Sequence, residues 1–213
     1  MSLKWEMELE EQRNKRRKEV LEAARKLFIE KNFPQVTMND IASEAGISKV
    51  TLYKYYKSID EIAFELQYLL FLDMGNFFGN SSDDIPASEQ ILMFIKRWSD
   101  FLSAREDILR FQAIFDLYYR VQYLDITQVD SRQELIRRSR EDLGSLFVRG
   151  QNEGNIRTDI QAKELAAWTI NNLIAMVHRL AARGELLEKD SFVSKERIME
   201  MTIESIINFI QKS

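Results

Sequence analysis

The residues best suited to do chemistry in this chain lie close together. From Arg13 to Lys57 there are eleven lysines and arginines against five carboxylates, a net charge of +6. The twelve residues before this stretch carry −3 and the 156 after it carry −7, so a mildly acidic chain of 213 residues (net −4) conceals a basic segment of about 45 residues. Clustered cations of this kind suit a run of phosphates. A solvated helix face is the alternative reading for a block such as Lys15-Arg16-Arg17-Lys18.

Other chemistries are poorly provided for. There is no cysteine, which removes disulfides, thiol nucleophiles, iron–sulfur clusters and cysteine zinc sites, and fits a reducing cytoplasm. His178 is the single histidine. No G-x-S-x-G and no glycine-rich phosphate loop is present, and the pair Asp83-Asp84 reads as solvated loop charge. Neither an enzyme nor a cofactor or metal site is expected. The Glu-rich start reads as no signal peptide, and no apolar run approaches the ~20 residues that span a bilayer, so no membrane partner is expected.

The elements that must position the basic residues are helices. With 45% hydrophobic residues, 7 Gly and 2 Pro, the chain can bury a core and has few turns. Val20, Ala23, Ala24, Leu27 and Phe28 recur at helical spacing over 13–31. Asn32 is a candidate C-cap and Pro34 blocks continuation. Thr37 and Asp40 form an acidic capping box ahead of a short helix that ends at Gly46. Ser48 caps a second short helix, Lys49 to Tyr56. Two helices of under ten residues separated by Gly46-Ile47 make a helix-turn-helix, with Leu52 and Tyr56 facing the core. Ser58 and Glu61 predict another capping box, opening an apolar helix from Ile59 to about Gly75. Further helices are predicted over 87–104, 106–122, 128–151, 161–183 and 194–211, with Gly150, Gly154 and Gly184 as breaks. The expected fold is all-α with about nine helices and no strand. The expected domains are a helix-turn-helix domain at 1–57 and a helical body at 58–213.

The run from Val36 to Tyr56, VTMNDIASEAGISKVTLYKYY, resembles the DNA-binding signature of TetR-family transcriptional regulators. The likeness covers about 50 residues. Glu153 to Asp159 also resembles a loop such proteins place before a late helix. Three positions depart from the pattern: Val50 stands for a glycine in the recognition helix, Asn32 for a glycine, and Ile59 for a lysine that often meets a phosphate, a task left to Lys57.

The resemblance implies a homodimer on a pseudo-palindromic double-stranded DNA operator, acting as a repressor released by a small-molecule effector. The alternative is an activator or DNA-organising protein without an effector. In helix-turn-helix docking the start of the second helix enters the major groove. That assigns Lys49, Val50, Thr51 and Tyr53 to the groove, and Ser48, Tyr55 and Lys57 to phosphates. Thr37 would present its hydroxyl and helix N-terminus to a phosphate. The helices at 161–183 and 194–211 carry more apolar positions than one stripe needs, and the resemblance implies a dimer interface from both. Aromatic and polar residues of the body (Trp98, Phe111, Gln112, Phe115, Asp116, Tyr119, Asn172 and His178) are candidates for an effector pocket. Plain core is the competing reading of the aromatic stripe.

Overall fold

The computed structural model describes residues 3–31, 33–79, 84–119 and 129–212. Among them are nine α-helices: α1 (Leu3–Lys31), α2 (Met38–Glu44), α3 (Lys49–Leu52), α4 (Ile59–Phe78), α5 (Ala87–Ala104), α6 (Glu106–Tyr118), α7 (Val129–Asn152), α8 (Ala162–Ser191) and α9 (Lys195–Ile210). The described residues hold no strand, only an isolated antiparallel bridge between Ile156 and Gln211. None of their helices is long and apolar enough to cross a membrane. The fold is the all-α one expected. Asn32 and Asp83 lie outside the described residues.

The chain forms two compact units. The first runs to Asp73 and includes Ile114–Tyr119. Its core holds Val20, Ala24 and Phe28, which the helical spacing singles out, together with Ile41, Leu52 and Ile62. Phe33, in a short 3-10 turn after α1, stacks on Phe28 with centroids 4.1 Å apart. The second unit contains Met74–Ala113 and helices α7, α8 and α9. There α7 packs on α8, α8 on α9, and α5 against all three.

Several boundaries differ from the sequence reading. Helix α1 starts at Leu3, ten residues before Arg13, extending backwards through the Glu-rich start as the i,i+4 pair of Glu11 and Lys15 allows. The recognition helix is shorter than Lys49 to Tyr56. Its α-helical part stops at Leu52, and Lys54 and Tyr55 then bond three residues back, to Thr51 and Leu52, in tightened turns. The Ser58 hydroxyl accepts the Glu61 N–H as a cap, but the Glu61 carboxylate reaches the Lys57 N–H at 2.6 Å, not that of Ser58. Gly150 and Gly184 lie inside α7 and α8 and break neither. A Cβ at Gly150 would sit 2.8 Å from Ile156 Cγ1, so that glycine serves close packing. Helix α8 continues eight residues past 183.

Candidate nucleic-acid interface

Thr37 is extended and caps α2. Its hydroxyl oxygen accepts the Asp40 N–H at 3.2 Å, and the Asp40 carboxylate accepts both the Thr37 hydroxyl (2.6 Å) and the Thr37 N–H (2.9 Å). These bonds, the hydroxyl's first, hold the Asp40 carboxyl below its ordinary range. The turn into α3 passes through Gly46 at φ +66°, a left-handed conformation that glycine adopts without a Cβ clash. Ser48 caps α3 by accepting the Thr51 N–H, and the two hydroxyls share a 2.8 Å hydrogen bond. One of those two hydroxyl protons is therefore left for an outside acceptor. The proton of Thr37 is already given to Asp40.

Around this scaffold the predicted DNA residues divide by exposure. Val50 is 72% exposed and Tyr53 47%, while Leu52 and Tyr56 are buried as predicted. Lys49 and Lys57 are exposed; Thr51 and Tyr55 are half-buried. The Lys49 ammonium lies 6.0 Å from the centre of the Tyr53 ring, a cation–π contact that joins the two side chains.

Ion pairing sorts the cations. Arg16 pairs with Glu19, Arg17 with Glu65, Lys26 with Glu44 and Lys31 with Asp40. Among the described residues Lys49, Lys54 and Lys57 pair with no carboxylate, nor do Lys15 and Lys18 on α1. Three uncommitted positive charges thus follow one another along nine residues of the recognition segment. The sequence reading passed over Lys54; its place between Tyr53 and Tyr55, on the same short basic run, was the available signal.

Residues 20–66 match the family model for bacterial regulatory proteins, tetR family. Over that segment the chain is similar to the TetR family. It is 40% identical over 52 residues to the helix-turn-helix-type transcriptional regulator YfiR of Bacillus subtilis, a stretch that is 24% of this chain and 25% of that protein. Against the regulator YerO of the same organism it is 26% identical over 220 residues, covering 88% of this chain and 75% of that one. The chain therefore spans only a quarter of the length of the first of these relatives. A transcriptional regulator of Saccharomonospora viridis, solved in complex with choline, shares the fold at a TM-score of 0.69 and 20% identity, over 94% of this chain and 100% of that one.

The family departures fall at informative places. Val50, in the family's glycine position, presents its branched side chain to solvent. Ile59, in the family's lysine position, opens α4 half-buried.

The eight candidate effector residues stand in different surroundings. Trp98, Phe111 and Gln112 are buried in the second unit. Among the described residues the Trp98 indole N–H has no hydrogen-bond partner, and the Gln112 amide donates to the Met74 sulfur. Phe115 and Tyr119 are buried in the first unit instead, among Phe33 and Phe64, and the Tyr119 hydroxyl donates to Asp60 at 2.7 Å. Asp116 and Asn172 are exposed, and the Asn172 amide donates to the Trp168 carbonyl one turn back.

His178 is half-buried on α8, and burial pushes its imidazole down to about 4. The unfolded chain binds that proton below an ordinary value of 6.5, so between these two pH values it holds a proton the folded chain refuses. Stability present above pH 6.5 is thus lost as the pH falls toward 4, on the order of 3 kcal/mol for this group. Urea melts of the protein and of His178→Gln over this range test it. The difference between the two should shrink or reverse on acidification, and parallel curves would contradict a neutral buried imidazole.

Proposed function

We propose that the protein is a dimeric transcriptional repressor. It binds a pseudo-palindromic DNA operator in the cytoplasm and releases it when a small-molecule effector occupies the second unit. The observation that carries the DNA part is the row of lysines without a carboxylate partner among the described residues, Lys49, Lys54 and Lys57, interleaved with exposed Val50 and Tyr53 along the recognition segment from α3 to the start of α4. Lysines without a carboxylate are free to displace the counterions of a phosphate backbone, and exposed side chains beside them reach base edges. Selection of bound duplexes from a random pool, followed by gel shift of the enriched sequence, tests this reading. A pool that yields no shared half-site defeats it.

A single helix-turn-helix covers one half-site, so a two-fold pair is required for an operator. Trp168, Met201 and Phe209 on α8 and α9 support the pair. Met201 is 52% exposed, and the Trp168 and Phe209 rings lie 4.3 Å apart on the surface. Phe209→Asp is expected to convert the dimer to a monomer and to lower operator affinity with it. Light scattering after size-exclusion chromatography checks the first result. A variant that stays dimeric places the interface elsewhere.

The effector part rests on buried donors with poor partners in the second unit, Trp98 and Gln112, and on the choline complex of a regulator with this fold. Release follows only if the effector prefers the state that does not bind DNA.

A further inference from the structure

The first unit carries a second basic surface that the recognition segment alone does not account for. Helix α1 begins at Leu3, whereas the family match begins at residue 20. The seventeen helical residues between these points form an extension. On it Glu10, Arg13 and Arg17 recur at i, i+3 and i+7, so they share one face. That face forms one wall of an open cleft of about 470 Å³, and Thr51, Lys54 and Tyr55 form the other.

The two walls are built differently. Arg17 is fixed: its guanidinium donates to Glu65 at 2.6 Å and lies 5.7 Å from the centre of the Tyr56 ring. Arg13 is held loosely, 3.7 Å from Glu10, with both side chains more than 60% exposed. Such a solvated pair contributes little and can be exchanged for a stronger partner. Among the described residues Lys54 pairs with no carboxylate. The cleft therefore offers three cations and one carboxylate, polar walls, and an opening to solvent. Enclosed small-molecule pockets are mostly apolar, so this lining does not suit one. It suits a phosphodiester, whose oxygens accept charge-assisted hydrogen bonds from guanidinium and ammonium groups. Thr51 belongs to both the cleft and the groove-reading set, so a backbone seated here is that of the same half-site.

We propose that the α1 extension and the end of the recognition segment form a clamp for the DNA phosphate backbone, in which Arg13 exchanges Glu10 for a phosphate and Glu10 acts as a built-in competitor. The proposal rests on the DNA-binding reading above and adds to it an element outside the family match.

The test uses the full chain and a mixed-sequence duplex long enough for two half-sites, since phosphate contacts are read without sequence. Affinity is measured by fluorescence anisotropy from 50 to 200 mM salt, with helicity checked by circular dichroism. Arg13→Ala removes one phosphate contact per half-site. The slope of log K against log salt should flatten by about 1.8 for the dimer, about 0.9 for each contact. Glu10→Gln should bind more tightly than the wild type, an effect that a merely structural pair would not produce. Wild-type slope and affinity in Arg13→Ala, beside normal wild-type binding, overturn the clamp and leave the DNA-binding reading standing. A wild type that fails to bind any duplex at low salt overturns both.

Discussion

Phe33→Ala is expected to lose about 3–5 kcal/mol of unfolding free energy. The ring is 3% exposed and packs against Phe28, Phe115, Tyr118 and Tyr119. It stacks on Phe28 at 4.1 Å and on Tyr118 at 5.3 Å, and meets the edges of Phe115 and Tyr119 at 6.0 and 5.5 Å. Each such pair contributes about 0.5–1.5 kcal/mol beyond the burial of its area. Truncation removes these contacts at once and leaves a cavity that rings on α1 and at the end of α6 cannot easily close. Phe33→Leu keeps most of the volume and should cost less, separating ring stacking from simple filling. The measurement is urea unfolding followed by tyrosine and tryptophan fluorescence. A loss below 1 kcal/mol would mean that the cluster does not hold the first unit together. The function is exposed to the same change. Phe33 sits four residues before Thr37, and a loosened 3-10 turn would release the cap that starts α2.

That cluster also marks the limit of what the sequence discloses. The helix-turn-helix was legible because its signals are local. Thr37 and Asp40 cap each other across three residues, Gly46 supplies the positive φ, and Ser48 caps α3. The long-range partners were not. Phe115 and Tyr119 share helical spacing with Phe111, yet Phe111 falls in the second unit while the other two fall in the first. A 3.6-residue period gives the face of a helix and says nothing about which unit that face meets. Boundaries failed for a related reason. Gly184 reads as a break in isolation, but it lies buried within α8, where an added Cβ would come 3.0 Å from the Lys195 side chain. At α3 the error ran the other way. Tyr53 to Tyr56 have helical composition, and the chain tightens there while Leu52 and Tyr56 are both buried. The exposure of Val50 and Tyr53 and the burial of Leu52 and Tyr56 were accordingly readable residue by residue, whereas the placement of the aromatic body residues was not.

Tyr53→Ala combined with Lys57→Ala should abolish sequence-specific binding while leaving the fold intact. Both side chains are exposed and lie outside the core, so the change in stability should stay within about 0.5 kcal/mol. Tyr53 matters twice over, because its ring carries the Lys49 ammonium at 6.0 Å and so fixes where that cation points. Losing a base contact costs about 1–3 kcal/mol, so two half-sites lose about 2–6 kcal/mol, which is at least about thirtyfold in Kd. Lys57 acts by charge. Its own N–H is tied to Glu61 at 2.6 Å, which pins the backbone at the entry to α4, while its ammonium pairs with no carboxylate among the described residues. Its removal should weaken every sequence alike and flatten the salt slope by about 1.8 over two half-sites. The two effects separate in the single variants: Tyr53→Ala lowers the ratio of specific to non-specific affinity, and Lys57→Ala lowers both affinities together. Tyr53→Phe then distinguishes ring from hydroxyl. It retains the cation–π contact, so full affinity in this variant assigns the role to the ring, and a loss equal to that of Tyr53→Ala assigns it to the hydroxyl. Wild-type affinity in the double variant would remove Tyr53 and Lys57 from the interface, and the burden would pass to Lys49, Lys54 and the α1 extension.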